Sequence, residues 1–294
     1  MGHGIALTFA RAGHKVSLHD PDADMRASAL SRISQSLRLL GATSEEVEDA
    51  IARITLYPDL PSAVVSSDYV FEAAPEKLPL KQSIFAEIET HAPANALLAS
   101  NTSVIQISTI MTGLSTRSRA LGTHWWNPPH MIPLVEVIKT EWTDNALAEQ
   151  MVSLLTSVGK KPVMVEKDVP GFIGNRLQHA LWREAISLVE NGVCSAEAVD
   201  EVVKASFGRR LAVLGPLENA DLVGIELTQD IHDKVLFDLE NTDRPSPHLQ
   251  SLIDKGHTGM AAGQGLRTWQ EGDLDATKER VANHLRELDA ILKQ

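Results

Sequence analysis

A doubly wound, mostly parallel α/β sheet followed by an all-helical segment is the fold class this sequence predicts, on three observations. Short apolar runs of strand length alternate with helical patterns as far as Glu166. Beyond Asp168-Val169-Pro170-Gly171 no convincing strand follows, only helical spacing. Near the start, a helix of small apolar residues leads through Gly13 into an alternating strand that ends at Asp20. Two domains are expected, residues 1–168 as the sheet-containing domain and 169–294 as the helical one.

The elements follow in order. Residues 2–12 (GHGIALTFARA) carry small apolar side chains at helical spacing, Gly13 is a helix stop, and Lys15 to His19 alternate as a strand. A helix is expected from Asp22 to Leu40, closed by Gly41. Another opens at Thr43, with Glu46 three residues later in a capping-box pattern. Apolar strands are expected at 53–57, 68–73, 96–100, 119–124, 134–138 and 162–166. Helices fall at 77–91, with Leu80, Ile84 and Ile88 on one face, and at 144–158, stopped by Gly159. In the second half, helices are expected at 172–190, 196–206 with Ser195 as cap, 217–240, 247–255 and 275–292. The last carries Val281, Leu285, Leu288 and Ile291 as one stripe, the mark of a packed core or a subunit contact.

Composition excludes several functions. The 294 residues are 43% hydrophobic and 4% aromatic, which suits an aliphatic globular core. A net charge of −12, with no basic run interleaved with aromatics, argues against nucleic acid and anionic lipid as partners. The single cysteine, Cys194, excludes an internal disulfide and a multi-cysteine metal site, and no metal is expected. No stretch approaches the roughly 20 apolar residues that span a bilayer. With no signal peptide visible, a cytoplasmic location is expected.

His124 and Glu136 carry the most chemical information. In LGTHWWNPPHMIPLVEVIK, one apolar run ends at His124, three prolines break regular pairing, and a second run contains Glu136. A carboxylate inside a buried strand is costly to ionise without a partner, and a histidine ending the neighbouring strand supplies one. Such a carboxylate fixes the tautomer of the imidazole and raises the basicity of its other nitrogen, a general base in the making. An exposed-face Glu136 is the bland alternative. Ser103, after the strand at 96–100 and before Val104, Ile107 and Ile110, reads locally as a helix N-cap. Asn175 is odd inside a helix from 172 to 190, since its amide competes with the backbone; it faces either a cleft or solvent. Met1-Gly2-His3-Gly4 resembles the end of a Gly-x-Gly-x-x-Gly dinucleotide fingerprint, with Gly2 as the last glycine. Asp20, eighteen residues later at a strand end, is either a ribose-binding acid that favours NAD over NADP or a turn residue before Pro21.

GHGIALTFARAGHKVSLHD, FEAAPEK, LLASNTSVIQI, HWWNPPHMIPLVEVIK and KDVPGFIGNR, in that order, resemble the 3-hydroxyacyl-CoA dehydrogenase family, and the likeness runs from Met1 to about residue 265. The resemblance implies a Rossmann-like domain that binds NAD. It implies His124 as the catalytic base, Glu136 as the acid paired with it, and Ser103 and Asn175 as the polar groups that hold the reacting oxygen. Glu76, Lys81, Ser103 and Asn127 match positions around the nicotinamide end, and Asp20 matches the ribose acid. A homodimer through the helical domain and a role in fatty acid metabolism are implied as well.

Two departures qualify the substrate and the cofactor. The family's first strand and first two fingerprint glycines would precede Met1, so the chain as written is expected to bind NAD poorly or to fold badly, and a start upstream of Met1 is expected. Trp125-Trp126 stands where the fatty acyl-CoA branch carries two phenylalanines. The surrounding Asn127-Pro128-Pro129 and Ile132-Pro133-Leu134 also resemble gulonate and carnitine dehydrogenases and the lens protein lambda-crystallin. The expected reaction is oxidation of an L-3-hydroxyacyl-CoA. The alternatives are a non-CoA 3-hydroxy acid as substrate or a crystallin-like protein without catalysis.

Overall fold

The computed structural model describes residues 1–292. The chain divides into two compact units, one of Met1–Arg176 with the residues from Ala282 onward, the other Leu177–Val281. Along the first unit run α1 (Gly2–Arg11), β1 (Val16–His19), α2 (Ala23–Leu39), α3 (Ser44–Ala52), β2 (Ile54–Tyr57), α4 (Leu60–Val64), β3 (Tyr69–Glu72) and α5 (Leu78–His91). Then come β4 (Leu97–Ser100), α6 (Ile107–Met111), β5 (Ala120–Trp125), β6 (Leu134–Ile138), α7 (Asn145–Ser157) and β7 (Lys161–Val165). The helices α8 (Gly174–Glu190), α9 (Ala196–Ala205), α10 (Pro216–Val223), α11 (Ile225–Val235), α12 (Pro247–Asp254) and α13 (Asp273–Leu292) complete the described chain.

The strands form two sheets. β1 and β2 pair in parallel, and β3-β4-β5-β6-β7 form the second sheet, parallel throughout except for the antiparallel β5–β6 pair. All four residues of β4 and all six of β5 are buried, as expected of strands covered on both faces. The alternation of side chains sorts them into two cores. Leu98, Ala120 and Ile138 meet Phe85, Ile88 and Ile107 on one face, while Leu97, Ala99, Leu121, Val135 and Val137 meet Ile5, Phe9, Met151 and Leu155 on the other. A third cluster joins Ala6, Leu7 and Ala10 of α1 to Ile33, Leu37, Val47, Ala50 and Ile54. α1 therefore contributes to two cores at once.

Local chemistry sets the boundaries. The Asp22 side chain accepts from the amides of Asp24 and Met25 to start α2, and the expected capping box of Thr43 and Glu46 is formed. Gly13 and Gly41 adopt positive φ of 92° and 81°, conformations that glycine takes without steric cost. Three expectations need correction. The helix at 217–240 is two, α10 and α11, because Gly224 at φ 101° interrupts it. The helix after β4 begins at Ile107 and not at Ser103, which is therefore no N-cap. α8 begins at Gly174, which places Asn175 in a first turn, where a short polar side chain costs little. α4 was not expected: five residues are too few to show a period, although Asp59 caps it and Pro61 sits in its first turn.

No helix among the described residues is long and apolar enough to cross a membrane, and no described cluster of His, Cys, Asp or Glu could hold a metal ion.

Candidate active site

The antiparallel register places His124 of β5 directly opposite Glu136 of β6, and cross-strand partners share a face. Both are buried, at 3% and 1% exposure, and His124 Nδ1 lies 2.7 Å from Glu136 Oε2. The other carboxylate oxygen, Oε1, accepts from the backbone amides of Ile173 at 2.8 Å and Gly174 at 3.0 Å. Those amides are aimed by the turn before them. Gly171 and Phe172 both take positive φ, 74° and 52°, and for a phenylalanine this is a strained conformation at about 1–3 kcal/mol. The Phe172 ring, 1% exposed, sits 5.6 Å from the imidazole, and Trp126 stands 5.2 Å from it. Burial of Glu136 works against its ionisation. The bond from His124, the amides of Gly174 and Ile173, and the charge of His124 outweigh that burial and hold the carboxyl below the usual glutamate range. A carboxylate at Nδ1 requires the proton on that nitrogen, which leaves the lone pair on Nε2.

A second group gathers at the ends of β3 and β4, strands parallel to β5, so that all three present their C-terminal ends at one edge of the sheet. Glu76 follows β3 and Ser103 follows β4. Glu76 Oε1 accepts from Thr102 Oγ1, from the amide of Ser103 at 3.1 Å and from that of Val104 at 3.3 Å. Burial would raise its titration, but these bonds and the Lys81 charge hold it low. Asn175 Nδ2 donates to the Ser103 carbonyl at 2.7 Å, so the two residues named from the sequence as holding the reacting oxygen are in direct contact. One amide N–H of Asn175 and the Ser103 hydroxyl remain for a ligand.

Lys81 lies beside Glu76. Its side chain is wholly buried, and its ammonium donates to Glu72 Oε1 at 2.8 Å, Glu72 Oε2 at 3.1 Å and the Ala74 carbonyl at 3.2 Å, with Glu76 Oε2 at 3.5 Å. Sequence reasoning missed Glu72 itself, a buried carboxylate that also accepts from Ser100 Oγ at 2.6 Å and from the Ala74 amide at 2.6 Å. It also missed Asn101, whose Oδ1 accepts the Trp125 amide and ties the end of β4 to β5. The same signal that flagged Glu136, an acid in an otherwise apolar strand, was present at Glu72.

The remaining positions lie at strand and helix ends. Gly2 opens α1, a helix with neither a side-chain cap nor an acid in its first turn, which leaves its start open to an anion. Asp20 follows β1, with Oδ1 taken by the Asp22 amide and Oδ2 left for a ligand, while Arg26 bonds its backbone carbonyl. Asn127 is exposed in the loop after β5, which contains a cis Asn127–Pro128 bond. An uncapped helix start and a strand-end acid are a donor and an acceptor of the kind that the pyrophosphate and ribose of NAD call for.

A mostly parallel sheet carrying such a helix start, with a buried histidine–carboxylate pair across two of its inner strands, fits an NAD-dependent oxidoreductase acting on a CH–OH group. Two family descriptions match the chain: 3-hydroxyacyl-CoA dehydrogenase, NAD binding domain, over residues 1–169, and its C-terminal domain over 171–269. The chain belongs to the 3-hydroxyacyl-CoA dehydrogenase family. It is 37% identical to the mitochondrial hydroxyacyl-coenzyme A dehydrogenase of Homo sapiens, over 90% of this chain and 87% of that protein. It is 33% identical to the 5-formyl-3-hydroxy-2-methylpyridine 4-carboxylate 5-dehydrogenase of Mesorhizobium japonicum, over 99% and 94%. An L-carnitine dehydrogenase of Streptomyces griseus is 36% identical over 77% of this chain and 68% of its own. The crystal structure of a 5-formyl-3-hydroxy-2-methylpyridine 4-carboxylic acid 5-dehydrogenase, described as an NAD+ dependent dismutase, matches with a TM-score of 0.92, covering 100% of this chain and 95% of that one.

Proposed function

We propose that this protein oxidises the 3-hydroxyl of an L-3-hydroxyacyl-CoA to the ketone, with His124 as general base. The observation that carries the reading is the 2.7 Å contact between two buried side chains, His124 and Glu136. His124 Nε2 takes the hydroxyl proton, and the imidazolium so formed is stabilised by the Glu136 carboxylate, which its two backbone amides hold in place. Ser103 and Asn175 hold the reacting oxygen, and the Nδ2 bond to the Ser103 carbonyl keeps them in one fixed arrangement. When bound, NAD+ supplies the acceptor for the hydride that leaves the substrate carbon. Gly2, Asp20, Glu76, Ser103 and Asn127 would hold it, with Lys81 acting behind Glu76. On this reading residues 1–168 form the cofactor domain and 169–294 the helical substrate domain.

A second reading changes the substrate to a small carboxylate without CoA. It is supported by the 99% coverage and 0.92 TM-score against the pyridine carboxylate dehydrogenase and by the likeness to carnitine dehydrogenase. Steady-state turnover of acetoacetyl-CoA with NADH, set against L-carnitine, gulonate and the formylpyridine carboxylate with NAD+, separates the two. Activity with the thioester alone supports the first reading, and activity confined to the free acids replaces it with the second.

The helical unit also points to a homodimer. No described residue from Leu177 to Val281 is buried, and Leu217, Leu222 and Phe237 are 81%, 72% and 80% exposed. A unit of this size without a buried residue lacks a core of its own, and a second copy would cover its apolar helices. Light scattering on a Leu217→Asp, Phe237→Asp variant tests this: a dimer unaffected by both changes refutes the assignment.

A further inference from the structure

The loop from Trp126 to Pro133 joins His124 to Glu136, touches two parts of the site and carries a third. At one end the Trp126 ring lies beside the imidazole. Next comes Asn127, read above as a cofactor contact. Pro129 and His130 then press on the first turn of α1, where a Cβ added at Gly4 would lie 2.5 Å from Pro129 Cγ and 3.3 Å from His130 Nδ1. Few backbone bonds hold this loop from within. Pro128, Pro129 and Pro133 have no N–H, and the amides of Met131 and Ile132 both turn to the Pro128 carbonyl.

Lys160, between α7 and β7, supplies what the loop lacks. Its ammonium donates to the Pro129 carbonyl at 2.5 Å and to the Ile132 carbonyl at 3.0 Å, so one cation bridges two points of the loop three residues apart. It lies 5.4 Å from the centre of the Trp125 ring, and the adjacent Lys161 amide donates to Pro133. The side chain is 8% exposed, and Asp289 of α13 supplies the opposing charge. Burying an ammonium is an inefficient way to stabilise a fold, since an apolar residue of similar shape is often as good. Burial pushes the Lys160 ammonium down to about 8, against the pull of Asp289. Such a costly group is better explained by what it holds.

We propose that Lys160 is a positioning residue, a cationic clamp that fixes the Asn127–Ile132 loop in the shape cofactor binding and the His124–Glu136 pair require. The clamp acts through the loop and touches neither substrate nor cofactor. It rests on the reading of this site as a dehydrogenase centre, and the experiment keeps the two apart.

The test uses the full chain with Lys160→Met, which keeps the apolar stem, Lys160→Arg, which keeps a charged donor, and Asn127→Ala. Hydrogen–deuterium exchange reads the loop directly at His130, Met131 and Ile132. In Lys160→Met, exchange there is expected to quicken while the thermal midpoint stays close to wild type. KM for NAD+ is expected to rise about tenfold, the scale of a lost hydrogen bond to a charged group, with kcat falling less. Lys160→Arg is expected to recover part of both effects. Unchanged exchange at the loop in Lys160→Met overturns the clamp, as does a quickened loop with KM and kcat both unchanged. If Lys160→Met raises KM and Asn127→Ala does not, the clamp stands and the role of Asn127 falls. Turnover that survives His124→Ala removes the dehydrogenase centre, whatever the loop does.

Discussion

Glu136→Gln is the sharpest test of the dyad because it changes charge and leaves shape. In the wild type, Oε1 accepts two amides and Oε2 faces His124 Nδ1. A glutamine satisfies the amides with its carbonyl and turns its NH2 toward Nδ1. Two donors cannot share that contact, so the imidazole must move its proton to Nε2, the nitrogen that has to accept one. The variant also loses the carboxylate that stabilises the imidazolium. A unit charge about 4 Å away in surroundings of effective dielectric about 20 is worth ~4 kcal/mol, or about three powers of ten in rate. Turnover, followed as NADH absorbance, is therefore expected to fall roughly 10 to 10^4 fold, the range of acid–base contributions, with KM for NAD+ little changed. A thermal melt shows that the variant is folded. Unchanged turnover in a folded variant would refute the idea that Glu136 governs the base.

Three further outcomes follow from the same contacts. Because the folded carboxyl of Glu136 titrates below the unfolded one, its stabilisation is present above the unfolded value and is lost as pH falls through the folded one. The acid side of the stability profile, measured by denaturant titration, should be flatter in Glu136→Gln, and parallel profiles would contradict this. Lys81→Met strands Glu72 as a buried charge and should cost about 3–5 kcal/mol, while adding Glu72→Gln should recover most of it. Denaturant midpoints of the single and double variants decide the matter, and a double no better than the single would count against a paired network. Gly174→Ala drives a Cβ to 2.3 Å from Trp126 Cζ2, forcing the indole that neighbours His124 to shift. A loss of about 1–3 kcal/mol with reduced turnover is expected, and a fully active, equally stable variant would show that the Trp126 position is immaterial.

The alternating first half, the capping box at Thr43 and the paired identities of His124 and Glu136 were legible because each rests on a short-range rule. Strand runs, caps and a lone acid in an apolar strand are visible within a few residues. Glu72 obeyed the same rule and was still missed, since its partners Lys81 and Ser100 lie on other elements and are brought to it by the fold. Gly224 broke a helix that the periodicity carried straight through, because a positive φ at one glycine is not a composition signal.

By itself the sequence determined the fold class, the family and a short list of candidate site residues, since periodicity and residue type are local properties of the chain. Tertiary structure decided which atoms face which. The β5–β6 register set His124 against Glu136, the positive-φ turn at Gly171 and Phe172 aimed two amides at the same carboxylate, and packing buried Lys81 against Glu72 and bonded Lys160 to the loop. Those outcomes depend on contacts between residues from nine to 38 positions apart, which only the packed chain brings within bonding distance.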